Sequence, residues 1–283
     1  MTPALELRPA GPHFGVEARG VDLSEPLPDP VFDRLRRALA ESGLLVVRRQ
    51  SIGPEALIAF TRRFGDIFSY TLSANAHPHH PEVLLLSNLR RRGRPCGTPG
   101  SGRYWHTDGH YLKEPPGESI LHAVHAPRTG GDTLFANAAD AYDRLPASLR
   151  ARIDGLRVII SRERTRPYHY PEKPPVTDAE RASWPEVDHP VVRTHPLTGR
   201  KALYVGGIVP YRIQGMDESE STPLVTELQR YTTDPAFVHV HRWRRGDLVV
   251  WDNRTVIHRG TPYDERRSRR HILRTVAGGE APV

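Results

Sequence analysis

Gly246-Asp247-Leu248-Val249-Val250-Trp251-Asp252-Asn253-Arg254-Thr255-Val256-Ile257-His258-Arg259-Gly260 is two short apolar runs around a polar turn. The pattern predicts a β-hairpin that turns at Asp252-Asn253 and whose returning arm ends at His258. Similar β-branched runs, separated by Gly, Pro, Asn and Asp, recur at Val83–Leu86, Ile120–His125, Thr133–Phe135, Val158–Ser161, Val191–Thr194, Ala202–Val205 and His271–Val276. Many short strands with turn chemistry between them predict an α+β, mainly β protein with a sandwich or jelly-roll (double-stranded β-helix) core.

Outward from that stretch, flanking helices are expected. Asp29–Glu41 has Pro30 in its first turn, apolar residues at helical spacing and Gly43 as its stop. Pro54–Phe64 ends at Gly65, and two more helical stretches cover Ala138–Arg152 and Ser219–Thr232. Residues 162–190 are rich in Pro, Glu and Arg without a sustained apolar period, which predicts a long lid-like loop. No linker divides the chain, so 1–283 is read as a single domain.

Composition narrows the function. At 283 residues the chain can bury a full core, and 37% hydrophobic with 26% charged residues excludes a disordered or fibrous protein. Apolar runs such as Leu44–Val47 and Leu248–Trp251 are far shorter than the roughly 20 residues of a membrane helix. The start, Met1-Thr2-Pro3-Ala4-Leu5-Glu6, lacks the basic and apolar regions of a secretory signal, and Cys96 is the single cysteine. A cytoplasmic protein is expected. The net charge of +7 invites a nucleic-acid-binding reading, yet all but three of the 40 basic residues are Arg and no stacking platform of aromatics interleaves them. The runs Arg90-Arg91-Arg92 and Arg266-Arg267 are read as solvated faces, and nucleic acid is not the expected partner.

The chemistry begins at Tyr104-Trp105-His106-Thr107-Asp108-Gly109. In extended chain, residues two apart point to one face, so His106 and Asp108 present an imidazole and a carboxylate together. If sheet pairing brings His258 beside them, two histidines and one carboxylate form the ligand set of non-haem Fe(II) oxygenases, with open coordination positions. The same set with a water is a zinc hydrolase site, which stays open as an alternative. A third cluster, Arg269-Arg270-His271-Ile272-Leu273-Arg274, places Arg270 and Arg274 on one strand face, where a guanidinium can grip a carboxylate in two-pronged fashion.

Taken in order, Trp105-His106-Thr107-Asp108, Gly130-Gly131-Asp132-Thr133-Leu134-Phe135, Trp251-Asp252-Asn253-Arg254 leading to His258, then Arg270 and Arg274 resemble the Fe(II)/2-oxoglutarate dioxygenases of the taurine and 2,4-dichlorophenoxyacetate dioxygenase family. Val192-Arg193-Thr194-His195 with Thr198-Gly199-Arg200-Lys201 is more similar to the phenoxyacetate branch. The resemblance runs from about Gly15 to Gly278. It implies Fe(II) on His106, Asp108 and His258, with 2-oxoglutarate and O2 as co-substrates. Thr133 and Arg270 are the implied clasp for the distal carboxylate of 2-oxoglutarate; family spacing also allows Arg269, whereas strand alternation favours Arg270. Arg274 is implied near the C1 carboxylate or an anionic substrate group. The implied reaction hydroxylates a small, anionic organic substrate, with C–O or C–S cleavage where a heteroatom sits on the hydroxylated carbon. The implied assembly is a homo-oligomer, a dimer or tetramer.

His195 falls where phenoxyacetate-type enzymes carry a substrate-side histidine, and Tyr70, Tyr104, Asn88 and Tyr211 are further pocket candidates. Positions matching the taurine enzyme's sulfonate contacts fall on Tyr70, Ser73 and Gly102, which do not reproduce those contacts, so taurine itself is not expected. His77-Pro78-His79-His80 is read as an exposed loop, and His239-x-His241 as a polar strand face near Trp243.

Overall fold

A computed structural model of the chain describes residues 4–68, 75–97, 102–169, 173–205, 207 and 211–283. Strands β1 (Glu6–Pro9) and β2 (Val16–Arg19) pair antiparallel, and β2 runs parallel to β3 (Leu44–Val47). Helix α1 (Asp29–Ser42) connects β2 to β3, with a proline in its first turn and Gly43 at its end in a left-handed conformation, φ 75°. The Gly43 N–H donates to Leu39 O at 2.6 Å. A β-carbon at Gly43 would lie 2.7 Å from Val256 Cγ2, so both the backbone angle and the packing require glycine there.

Helix α2 (Pro54–Arg62) leads to the hairpin of β4 (Ala76–His77) and β5 (His80–Ser87), and a small exposed hairpin follows, β6 (Arg90–Arg91) with β7 (Arg94–Pro95). Next come β8 (Glu118–His125) and β9 (Thr133–Asn137), then α3 (Ala138–Asp143), α4 (Ala147–Ile153) and β10 (Arg157–Ile160). The expected helix over 138–152 is thus broken at Pro146, which caps α4 and cannot donate the backbone bond a continuous helix needs.

Residues 162–190 depart furthest from expectation. In place of a loop they hold α5 (Arg162–His169), α6 (Asp178–Ser183) and β11 (Val187–Pro190). Helix α6 buries no side chain, so it has no apolar period to read. It is held instead by a capping box between Thr177 and Glu180, and by the ion pairs Arg166–Glu180 (2.9 Å) and Arg181–Glu163 (2.8 Å) with α5.

The chain continues through β12 (Val192–Thr194), β13 (Lys201–Leu203), β14 (Arg212–Ile213) and α7 (Glu218–Thr232), and closes with β15 (Val238–His241), β16 (Leu248–Asp252), β17 (Val256–Gly260) and β18 (His271–Val276). Eight strands form the main sheet in the order β1-β2-β3-β16-β8-β18-β5-β4, and three form a second sheet, β15-β9-β17. The architecture is mainly β with flanking helices.

Strand periodicity explains the core. Leu45, Val47, Ile120, Leu248 and Val250 share one face of the main sheet with Leu35 and Leu39 of α1 and Leu57 of α2. Their neighbours Leu44, Val46, Leu121, Val249 and Trp251 turn the other way and pack with Phe135 and Val256 of the second sheet. Both faces are covered, so β3 and β16 read as unbroken apolar runs.

The predicted hairpin at Leu248–His258 is not formed. β16 pairs with β3 and β8 in the main sheet, whereas β17 pairs with β9 in the second. The Asp252–Thr255 turn therefore crosses between sheets. Its polar groups are taken by partners elsewhere: Asp252 N donates to Gly43 O (3.0 Å) and Asn253 N to Gly117 O (2.9 Å). The local pattern marks the two strands and the turn, but their partner strands lie over a hundred residues earlier in the chain and nothing within the stretch specifies them. No described helix is long and apolar enough to cross a membrane.

Candidate metal centre

The crossover brings the end of β17 against the Trp105–Asp108 segment. His106 N donates to His258 O at 3.0 Å and His258 N to His106 O at 2.9 Å, an antiparallel hydrogen-bonded pair. Such a pair places two side chains on one face, and the imidazole centroids lie 4.2 Å apart. Gly207 bridges the other side of His106, and a β-carbon on it would collide with the Trp105 carbonyl oxygen. Asp108, two residues beyond His106, completes the set: one ligand atom from each of His106, Asp108 and His258 lies within 4.8 Å of the others. Asp108 Oδ1 is 3.7 Å from His106 Nε2 and 3.9 Å from His258 Nε2, too far for hydrogen bonds.

The donors are prepared for a cation. Burial would raise the Asp108 pKa, but the Arg274 guanidinium at 2.7 Å and the Ser119 hydroxyl at 2.7 Å, both on Oδ2, hold it well below the usual carboxylate range. Burial pushes both imidazoles down, His258 far below its ordinary value, so they are neutral and can give a lone pair. The His106 Nδ1 is 2.8 Å from Tyr104 O, which fixes its proton there and leaves Nε2 as the donor. Behind Asp108, Asn253 Nδ2 donates to Ser119 Oγ (3.0 Å), and Trp251 Nε1 donates to Asn253 Oδ1 (2.9 Å). Two neutral imidazoles and one ionised carboxylate fit a divalent first-row metal with open positions.

A cavity of about 500 Å³ opens over the three residues. Its strand wall carries Leu84, Leu121, Thr133, Trp251 and Arg274, with Arg270 just before β18; its helical wall carries Arg162 and Arg166 of α5 and Trp184 at the end of α6, and Tyr111 stands beside them in the turn after Asp108. The Arg270 side chain is largely buried, which pushes its pKa down, and it forms no hydrogen bond or ion pair with any described residue. Arg269 is exposed and does not line the cavity, so of the two arginines Arg270 faces the site, as strand alternation predicts. Thr133 Oγ1 accepts from Trp243 Nε1 at 2.9 Å and keeps its own proton to donate.

Of the substrate candidates, Tyr104 lines the cavity and Tyr70 lies outside the described residues. Ser73 also lies outside them, while Gly102 lines the cavity. Tyr211 is buried behind the wall, 3.1 Å from His110 Nε2. His195 does not reach the cavity. It is 3% exposed, with Nε2 2.9 Å from Asp252 Oδ2 and Nδ1 accepting the Leu197 and Thr198 N–H groups, so both nitrogens are spent on the fold. Asn88 does not reach it either. Its amide donates to Glu265 O and Ser268 O and accepts from Arg270 N at 2.9 Å, so it fixes the backbone that carries Arg270.

Sequence reasoning missed Ser119, Asn253, His110, Tyr111, Arg162 and Trp184. Asn253 was visible as a turn residue, but its partner Ser119 sits in a strand with no motif around it. Asp252 and Arg254 belong to a buried network below the centre. Arg254 bonds Glu118 at 2.8 Å, Asp252 at 3.1 Å and Glu280 at 2.9 Å. Burial and the nearby Asp252 push Glu118 up to about 7. Burial would also raise Asp252, but Arg254 and His195 outweigh it and bring it to about 2. The His239-x-His241 pair is a buried strand face, with the His241 ring 4.5 Å from Trp243 and its Nε2 3.2 Å from Asp247. His77 and His80 lie in the β4–β5 hairpin, where His80 Nε2 is 2.9 Å from Glu55.

Comparison with known proteins gives a consistent picture. Residues 6–276 match the family model described as taurine catabolism dioxygenase TauD, TfdA family. The chain is 33% identical to the alpha-ketoglutarate-dependent 2,4-dichlorophenoxyacetate dioxygenase of Cupriavidus pinatubonensis, over 97% of this chain and 98% of that protein. It is 31% identical to the alpha-ketoglutarate-dependent sulfate ester dioxygenase of Pseudomonas putida, over 99% of this chain and 91% of that protein. Among solved structures, AAD-2 in complex with Mn(II) and N-oxalylglycine superposes with a TM-score of 0.84 at 30% identity, covering 99% of each chain.

Proposed function

The chain belongs to the taurine catabolism dioxygenase TauD, TfdA family, and from that membership we propose that it uses Fe(II), 2-oxoglutarate and O2 to hydroxylate a small organic anion. His106, Asp108 and His258 hold the iron. When bound, the iron would activate O2, the oxidant: one oxygen atom goes into succinate as 2-oxoglutarate is oxidised and loses CO2, and the other into the hydroxyl group of the substrate. The observation that carries the reading is Arg270: a largely buried guanidinium with no hydrogen bond or ion pair among the described residues, in the same cavity as the three ligands. A zinc hydrolase leaves that group without a role, whereas the distal carboxylate of 2-oxoglutarate answers it with a two-pronged hydrogen bond. Thr133 donates its remaining proton to the same carboxylate. Arg274, already bonded to Asp108, orients that ligand and lies at the C1 end of the co-substrate.

Leu84, Leu121 and Trp251 keep water from the strand side of the cavity. Relatives named for phenoxyacetate and sulfate ester substrates support an organic anion as the substrate class. The two facing sheets, joined at the Asp252–Thr255 crossover, support a jelly-roll topology. We place the enzyme in the cytoplasm and expect a homo-oligomer, which gel filtration with light scattering measures.

The test is anaerobic. Purified protein with Fe(II) and 2-oxoglutarate is expected to show a weak visible charge-transfer band that His106→Ala removes. Absence of the band at full metal loading overturns the reading.

A further inference from the structure

Among the described residues, five Arg and Lys side chains line the cavity: Arg162, Arg166, Lys173, Arg270 and Arg274. Three are committed. Arg274 bonds Asp108, Arg166 bonds Glu180 at 2.9 Å and Pro174 O at 3.1 Å, and Lys173 is engaged within the protein. Arg270 and Arg162 remain, and neither guanidinium makes a hydrogen bond or ion pair to a described residue. A reaction that consumes 2-oxoglutarate beside an anionic substrate brings two anions into this space, and Arg270 answers the first.

We propose that Arg162, on the helical wall, receives the negatively charged group of the substrate and so determines which substrates are accepted. The inference rests on the dioxygenase reading above and deepens it.

The geometry around Arg162 is that of a prepared receptor. Its guanidinium carbon lies 4.6 Å from the Tyr111 ring centroid and 4.3 Å from that of Trp184. Aromatic rings satisfy the faces of the cation and restrict its tilt, leaving the N–H edge for hydrogen bonding. That edge matches an oxyanion, a carboxylate or a sulfate. Tyr111 follows Asp108 by one turn of chain and Trp184 closes α6, so the receptor is built from the metal-bearing segment on one side and the cover on the other. The same helix offers a contrast: Arg164 is exposed, does not line this cavity and lies 3.6 Å from Glu218. The substrate class that follows is an organic oxyanion with an apolar body. Its charge sits at the α5–α6 wall and its reacting carbon over the three metal ligands.

The test is calorimetric titration of the anaerobic full-length protein, loaded with Fe(II) and 2-oxoglutarate. Phenoxyacetate is compared with neutral phenoxyacetamide, and hexyl sulfate with hexanol; the two pairs separate carboxylate from sulfate recognition. At least one anion is expected to bind about 10–100-fold more tightly than its neutral partner, the range of a charge-assisted hydrogen bond. Arg162→Gln is expected to erase that preference while the charge-transfer band persists, and Arg164→Gln to keep it. Arg162→Lys retains charge without the planar fork and is expected to fall between; it serves as the variant where Arg162→Gln does not fold. Equal binding of anions and neutral partners, or a preference that survives both Arg162 substitutions, overturns the inference. Loss of the band in the unaltered protein overturns the dioxygenase reading instead.

Discussion

The strand wall and the helical wall of the cavity face the same three metal ligands but are held by different physics. On the strand wall a relay of buried hydrogen bonds, Trp251 to Asn253 to Ser119 to Asp108, is 2.7–3.0 Å at each step. All four residues are at most 3% exposed. On the helical wall, α6 buries nothing, and α5 and α6 are joined by ion pairs whose side chains reach 51% exposure. Buried hydrogen bonds are unscreened and expensive to break, whereas exposed ion pairs are worth little and fade with salt. The centre that must keep its shape is built by the first means, and the surface that must admit substrate by the second.

The largest break in this contrast comes from the ligands. His258→Ala is expected to leave no measurable succinate formation and no stoichiometric iron, by enzymatic succinate assay and metal analysis. Next is the packing beneath the strand wall: Leu45→Ala, at a fully buried site, should lower unfolding free energy by about 2–5 kcal/mol in urea titrations. Ser119→Ala removes one of the two groups on Asp108 Oδ2, and metal affinity by equilibrium dialysis should fall about 10–100-fold. On the helical wall, Thr177→Ala opens the capping box of α6 at a cost of about 1 kcal/mol. It should speed proteolysis at the α5–α6 segment while the urea midpoint stays unchanged.

The smallest effect is a pH slope that sharpens the account of the buried interior. Burial holds His110 and His239 at about 4. The unfolded chain takes up protons as pH falls through 6.5, the folded chain not until about 4, so stability is full above 6.5 and is lost on acidification across that window. Glu118, raised to about 7 from 4.5, works in the opposite sense: the folded state keeps a proton the unfolded state has released, so this group destabilises as pH rises from 4.5 to 7. Glu118→Gln should therefore steepen the rise in stability between pH 4.5 and 6.5. The change is at most one proton, about 1.4 kcal/mol per pH unit, read from urea midpoints.

Local chemistry was readable in the sequence and long-range pairing was not. His106 and Asp108 were marked by residue type and alternation, and the family resemblance joined His258 to them. The end of α1 was equally plain, since a glycine stop is a local rule. The Leu248–His258 stretch failed as a hairpin because nothing within it states that β9, over a hundred residues earlier, is the partner of β17. Helix α6 went unread because periodicity detects burial, and α6 has none; Thr177-x-x-Glu180 was the available signal. His195 stood at a suggestive position, yet its partner Asp252 lies across the fold, and that contact takes it out of the cavity.

The crossover at Asp252–Thr255 has one more consequence. Asp108 is anchored by Ser119 and Arg274 of the main sheet, whereas His258 rides on the second sheet and carries His106 with it. A cation bound by all three would rivet one layer to the other, so the ion that serves the chemistry doubles as a cross-link of the scaffold. Slippage between layers and loss of the ion become a single event, and a chelator acts on the architecture as well as on turnover.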